Sequence, residues 1–386
     1  MLPEGTSDTE VPVHISGAFD GGNIEVLDAS DPVQVRLAIR PDVDQKSRQW
    51  FCFRVAGARG VPLTLDITNA GEASYVAGWK GFRAVCSSDR SEWVRVDTEY
   101  TGGVLRIQHE PSADVVWFAS FAPYSRDQHA SLLVRCQQAG ARVRCLGLTL
   151  DGQGIDVVEV GHGPAPVWVV ARQHPGETMA AWYAEGLLDR LLDPTDADAE
   201  ALRALATVYV VPTMNPDGAR RGQLRTNAAG VDLNRSWGVA DPATCPEVAA
   251  VQADMVRTGA AIGLDIHGDE ALPYCFASRN VLGVPDLQPG DEARFLAFLD
   301  TLASCCDDFQ VEVGYPRPPA GRSDLRMCST WMAHTLGSLA VTIEQPFKDN
   351  CLRPDPVYGW SPDRSLRFGA QTVSALKLAL GGGNGS

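Results

Sequence analysis

From about residue 12 to residue 125, apolar and polar positions alternate with a period of two in short runs: VPVHIS, GNIEVLD, VQVRLAIRP, WFCFRVAG, PLTLDITN, WVRVDTEY, VLRIQHE and VVWFASFAP. Successive side chains of a strand point to opposite faces, so this alternation predicts strands with a buried side. Turn formers separate the runs at intervals typical of an antiparallel sandwich, which predicts an all-β first domain over residues 1–125. After FAPYSRD the rhythm changes. HASLLVRCQQAG has helical spacing, ARVRCLGLTLD, GIDVVEVG and PAPVWVVAR read as strands, and strands and helices then alternate as far as SLRFGAQTVSALKLAL. That order predicts an α/β domain over residues 126–380, a mixed central sheet flanked by helices, with GGGNGS (381–386) as a flexible tail.

Four apolar strands of the second region stop at polar residues suited to chemistry. VWVVA leads to Gln173 and His174, TVYVV to Pro212 and then NPDG, AIGLDIH ends at His267, and LAVTIE ends at Glu344. Ligands of open α/β sheets bind outside the carboxyl ends of the strands. In HPGE, His174 and Glu177 stand three residues apart on a strand-to-helix turn that can aim both at one point, and Gly176 permits the tight backbone. Alone, the pair reads equally as a helix-capping histidine and a first-turn dipole carboxylate. His267 changes that balance, because two imidazoles and one carboxylate form a hydrolytic zinc set with one position left open. Asp265, two residues back on the same strand face, is placed to support His267 from behind. His14, His109, His129, His162 and His334 have no place at this edge. Glu344 is either a solvated strand end or a buried carboxylate whose raised pKa suits a general base.

The chain has 386 residues, 45% of them hydrophobic, enough for a large core and two domains. Its formal net charge of -15 argues against a nucleic-acid or anionic-membrane partner. No apolar run reaches the roughly 18 residues of a membrane span, and MLPEGTSDTEVPVH reads as neither signal nor transit peptide, so a cytoplasmic protein is expected. Ten cysteines without a Cys-x-x-Cys pair read as buried thiols. Against this acidic background, RRGQLRTNAAGVDLNRSW gathers Arg220, Arg221, Arg225 and Arg235. Arg220 and Arg221 read as a solvated loop. Arg225 and Arg235, with the amide of Asn234, read as groups held over a cleft, where guanidiniums bind carboxylates or polarise a carbonyl.

HPGE (174–177), NPDG (215–218), the R-x-N…G-x-D-L-N-R segment (225–235), the D-x-H strand (265–267) and TIE (342–344), in this order, resemble the zinc metallocarboxypeptidases. FDGGNIEV, IRPD and QWFCFRV extend the likeness to the cytosolic-carboxypeptidase-like subfamily with its N-terminal sandwich. The resemblance implies one zinc ion held by His174, Glu177 and His267. It implies Glu344 as the catalytic carboxylate, Arg225 as the guanidinium stabilising the oxyanion, and Asn234 and Arg235 as binders of the substrate's terminal carboxylate. The substrate would be a peptide or protein C-terminal tail, cut by a zinc-activated water. CSTWMAHTLG offers Trp331 but no tyrosine where digestive members carry a mobile one, and Arg317, Arg322 and Arg326 are candidates for a pocket preferring acidic terminal residues. Two other functions are weighed: a zinc amidohydrolase of small N-acyl amino acids, and a non-catalytic receptor of peptide tails. A homo-oligomer is left open.

Overall fold

The computed structural model describes residues 13–381. Residues 1–12 and all of the expected tail except Gly381 lie outside that range, and Gly381 itself ends the last helix. Ten strands come first: β1 (His14–Ser16), β2 (Glu25–Asp28), β3 (Val35–Ala38), β4 (Cys52–Ala56), β5 (Leu63–Ile67), β6 (Val85–Ser87), β7 (Val94–Arg95), β8 (Asp97–Thr101), β9 (Val104–His109) and β10 (Val115–Ala119). They form two five-stranded sheets, ordered β1-β4-β10-β6-β7 and β2-β3-β5-β9-β8. Each predicted run contains a strand. β6, three residues inside RAVCSS, has no prediction because it is too short to show a period. The sandwich also departs from the antiparallel expectation at one pair, since β3 and β5 run parallel. The chain between them crosses to the other sheet as β4, which supplies the crossover that parallel neighbours require.

WFCFRV is apolar at almost every position because β4 is covered on both sides. Phe53 and Val55 enter the core between the two sheets, whereas Trp50 and Cys52 join the core of the second region. Val85, Trp93, Ala119 and Phe121 join it too, so one face of the first sheet is packed on the α/β region.

That region begins with α1 (Arg126–Gln138), opened by a capping box between Ser125 and Gln128. Seven strands follow: β11 (Arg142–Leu148), β12 (Gly154–Gly161), β13 (Ala165–Ala171), β14 (Ala206–Val211), β15 (Ile262–Asp269), β16 (Phe276–Ser278) and β17 (Leu339–Pro346). Their helices are α2 (Thr178–Leu191), α3 (Ala197–Leu205), α4 (Pro216–Arg221), α5 (Pro246–Thr258), α6 (Asp291–Cys305), α7 (Cys328–Leu336) and α8 (Pro362–Gly381). The mixed sheet has the order β11-β12-β14-β13-β15-β17-β16, with β14, β13, β15 and β17 parallel. Four carboxyl ends therefore share one edge. Every residue of β15 is buried, because Gly263 abuts Met332 of α7 on one face and Gly268 abuts Met179 of α2 on the other. Seven of the ten cysteines are buried as expected, but Cys145 and Cys351 are exposed and Cys305 is half-buried.

The helix α2, which starts one residue after Glu177, is held against α8 by backbone contact. A Cβ at Gly186 would lie 1.9 Å from the Leu366 carbonyl oxygen, and one at Gly369 would lie 1.9 Å from that of Tyr183. Gly186→Ala is therefore expected to lower the stability of the fold by about 1–3 kcal/mol through overpacking, measured as a shift in the chemical denaturation midpoint.

Candidate metal and active site

His174 and Glu177 sit on the turn between β13 and α2, and His267 lies near the end of β15, the next strand in the sheet. His174 and Glu177 are 5% exposed and His267 is 2%, so three polar groups meet in a nearly dry place. One donor atom from each lies within 4.8 Å of the other two. His174 Nδ1 is 2.6 Å from Glu177 Oε1, and His267 Nδ1 is 2.8 Å from Glu177 Oε2. Glu177 stands at the N-cap of α2 without making a capping bond, because its carboxylate is engaged by the imidazoles. Gly176 serves here by close approach: a Cβ on it would come within 3.1 Å of the Leu224 carbonyl oxygen.

The opposite ring nitrogens are held from behind. His267 Nε2 meets Asp265 Oδ1 at 2.9 Å, and His174 Nε2 meets Asp232 Oδ1 at 3.2 Å. Carboxylates on Nε2 favour the tautomer that leaves Nδ1 free as a ligand, so both rings present the same atom to one point. Asp265 is itself fixed, since Gln173 Nε2 donates to its Oδ1 at 2.6 Å while Trp237 Nε1 donates to Gln173 Oε1 at 2.8 Å. Burial pushes Glu177 upward, but His174 and His267 together pull its pKa to about 2. Burial opposes charge on His267, yet Asp265 and Glu177 raise it well above the usual imidazole value. A cluster that stabilises positive charge so strongly among two imidazoles and a carboxylate has the donor chemistry of a divalent zinc site.

Asp232, which precedes the DLNR arginine, links this cluster to the arginine segment. Its Oδ2 accepts from Arg225 Nε at 2.8 Å, and its Oδ1 accepts from the Asn234 backbone N–H at 3.0 Å. Asn234 is buried, with Oδ1 accepting from Cys328 N at 2.8 Å and Nδ2 3.1 Å from His267 Nε2. The Arg235 side chain is 39% exposed and loosely faces Asp324 at 3.9 Å. Arg220 and Arg221 end α4 and pair with Asp151 at 2.7 and 2.6 Å, as the solvated reading expects. NPDG is a structural joint: Asn215 Oδ1 caps α4 through Gly218 N, and its Nδ2 donates to the Gln173 carbonyl at 3.1 Å.

The β region also enters the site. Asp42 of IRPD is 1% exposed, and its carboxylate accepts from the backbone N–H groups of Leu224, Arg225 and Thr226 at 2.7, 2.8 and 2.9 Å. The hydroxyl of Tyr75, at the start of a 3₁₀ turn over Val76–Trp79, accepts from Arg225 Nη1 at 2.6 Å. Neither residue carries a sequence signal for this role, since only the tertiary fold brings the sandwich to the strand ends. Farther along the segment, Asn227 spans the turn to Val231 and donates to the buried Glu247 at 3.1 Å. Burial raises the Glu247 carboxyl to about 7.

Glu344 is paired in register with His267 on the neighbouring parallel strand, so the two side chains leave the same face side by side. It is buried, its Oε2 has no hydrogen-bond partner, and burial raises its pKa well above the ordinary value. Tyr315 donates to Asp269, two residues beyond His267, and packs edge-on against Phe276. Trp331, from the stretch lacking a tyrosine, is buried with its ring centroid 5.4 Å from that of Trp237. Of the arginines considered for an acidic-residue pocket, Arg317 pairs with Glu292 at 3.0 Å and Arg326 pairs at 2.8 Å with Asp324, the acid that Arg235 also faces; both are exposed, as is Arg322. Exposed ion pairs of this kind satisfy the arginines where they stand.

A buried two-histidine, one-carboxylate cluster beside a buried glutamate, at the carboxyl edge of a mixed sheet, defines the site of a metal-dependent hydrolase. Residues 15–121 match the cytosolic carboxypeptidase N-terminal domain, and residues 133–259 match the zinc carboxypeptidase family. The second match contains His174, Glu177, Arg225, Asn234 and Arg235, while the strands bearing His267 and Glu344 follow it. The chain is similar to a metallo-carboxypeptidase from Pseudomonas aeruginosa, with 42% identity, TM-score 0.91, and 95% of this chain and 98% of that one covered. It is also similar to a metallo-carboxypeptidase from Burkholderia cenocepacia, with 37% identity, TM-score 0.92, and 96% and 100% covered. Cytosolic carboxypeptidase 1 of Xenopus laevis is 27% identical over 57% of this chain, a stretch that spans 22% of that longer protein. The chain belongs to the zinc carboxypeptidase family and is a metallocarboxypeptidase with the N-terminal domain of the cytosolic carboxypeptidases.

Two tests follow from the geometry. Asp265→Asn is expected to weaken zinc affinity about 10–100-fold, read by competition against a chelating indicator, because it removes the carboxylate that sets the His267 tautomer. For Glu247, the folded chain alone holds the proton between the ordinary value of 4.5 and about 7. Stability therefore falls as pH rises through that window, and Glu247→Gln is expected to abolish this slope in denaturation curves taken from pH 5 to pH 8.

Proposed function

We propose that this chain removes residues from the C-terminal tails of peptides or proteins, with one zinc ion held by His174, Glu177 and His267. The convergence of both Nδ1 atoms on the Glu177 carboxylate, with Glu344 in register beside His267, carries this reading. A zinc ion in that set supplies Lewis acidity to the scissile carbonyl and to a hydrolytic water. Glu344 accepts the proton that the water loses as its oxygen joins the carbonyl carbon. The same carboxyl then passes the proton to the nitrogen as the C–N bond breaks, leaving a shortened chain and a free amino acid. Arg225, held by Asp232 and Tyr75, donates to the carbonyl oxygen as charge develops there in this reading. Arg235, with an exposed guanidinium, and the neighbouring Asn234 amide take the terminal carboxylate, with Arg225 beside them.

The Pseudomonas aeruginosa relative was solved in complex with (2-guanidinoethylmercapto)succinic acid, a compound carrying two carboxylates. That ligand supports a carboxylate-binding cleft here. The relatives named cytosolic support a cytoplasmic location, and no helix among the described residues is long and apolar enough to cross a membrane.

Glu344→Gln tests the assignment. Zinc content is expected to stay at one per chain while turnover of short peptides falls about 10²–10⁴-fold. Unchanged turnover would remove Glu344 from the reaction. A parallel panel of peptides ending in Glu, Lys or Phe, with N-acetyl-aspartate alongside, is expected to show peptide cleavage. Hydrolysis of N-acetyl-aspartate alone would point to the amidohydrolase, and binding without cleavage to a receptor.

A further inference from the structure

Between the sandwich and the α/β region lies a cavity of about 310 Å³, separate from the candidate metal site. Trp50, Trp93, Trp117, Phe19 and Leu133 give it apolar walls. Arg172 and Thr213, both buried, line it as well. Arg172 is only 4% exposed, and its Nε and Nη1 donate to the carbonyls of Pro175 and Tyr124, each at 2.9 Å. No carboxylate among the described residues pairs with it. Thr213 Oγ1 is buried without a hydrogen-bond partner. An uncompensated guanidinium and an unpaired hydroxyl in one dry wall are costly unless something completes them.

Apart from Arg90, the other charges of the cavity are paired. Arg126 lies 3.6 Å from Asp20, Arg220 is 2.7 Å from Asp151, and Asp156 is 3.2 Å from His129. Arg90 stands over the Trp117 ring at 5.9 Å, on the exposed side. The cavity thus keeps two unpaired guanidiniums in a chain whose formal net charge is -15. Its backbone is also held in an uncommon state, since Arg172 has φ 58° where a side chain rarely permits it. Such strain marks positions that the surroundings over-determine. Cation, hydroxyl and aromatic walls together match an anionic head on a flat apolar body.

We propose that this interdomain cavity binds a small organic monocarboxylate with a planar apolar body, its carboxylate on Arg172 and Thr213 and its ring among the tryptophans. The site is distinct from the peptidase cleft and does not rest on the catalytic assignments. Because Arg172 also holds the Pro175 carbonyl, the ligand would seat beside the turn that carries His174 and Glu177.

Calorimetric titration of the full chain with 2-naphthoate tests this, with 2-naphthamide as the uncharged counterpart of the same shape. The expected result is saturable 2-naphthoate binding with Kd below about 1 mM, and amide binding weaker by roughly tenfold or more. Binding should persist after zinc is removed with a chelator. Ala130→Trp, on the exposed face of α1 at the cavity wall, should abolish it while peptide hydrolysis continues. The absence of binding at millimolar naphthoate, equal binding of acid and amide, or binding that survives Ala130→Trp in a folded protein would each overturn the proposal.

Discussion

The carboxylate of Glu177, buried between two imidazoles, is the interaction on which the rest of the site depends. An ionised group that deep is tolerable only if its surroundings supply positive charge and hydrogen bonds. Here the sheet provides them in layers. Two imidazoles face the carboxylate, Asp232 and Asp265 stand behind the imidazoles, and Gln173, Asn234, Trp237 and Arg225 stand behind those. Each layer fixes the orientation of the one before it, which is why the donor atoms converge before any ion is considered.

The β sandwich is part of this apparatus. Asp42 captures three consecutive backbone N–H groups around Arg225, a stretch of loop outside any helix or sheet. Tyr75 holds the guanidinium itself. The arginine segment is thus clamped from the first domain as well as through Asp232. One face of the sandwich is buried on the α/β core, so the clamp rests on a rigid support. The two regions share a continuous apolar cluster, and the catalytic sheet is incomplete as an environment for its own loop without its neighbour.

Charge is distributed with the same logic. The chain is strongly acidic, and carboxylates crowd the strand ends, where Asp265, Asp269, Glu270 and Glu344 lie within a few residues or one strand of His267. Burial and this crowding raise Glu270 and Glu344 well above ordinary carboxyl values. A divalent cation at the centre of such a group is favoured by the very repulsion that disfavours several bare carboxylates together.

The hydrophobic pattern by itself determined that a β-rich region precedes an α/β region, because the periods of two and 3.6 are local properties of the chain. HPGE, the Asp-x-His strand and the final Thr-Ile-Glu were legible because polar residues at the ends of apolar runs are conspicuous. Asp265 was legible as a supporting group for the same reason, lying two residues from His267. What the sequence left open was decided by contacts between residues far apart along it. IRPD shows a likeness but nothing of the task of its Asp42, and nothing local marks Tyr75; they lie some 180 and 150 positions from the loop they hold. The short strand β6 and the parallel pairing of β3 with β5 also follow from packing and pairing across the fold. Register made the decisive contribution: His267 and Glu344 stand 77 positions apart in the chain, and only parallel pairing of their strands puts them side by side.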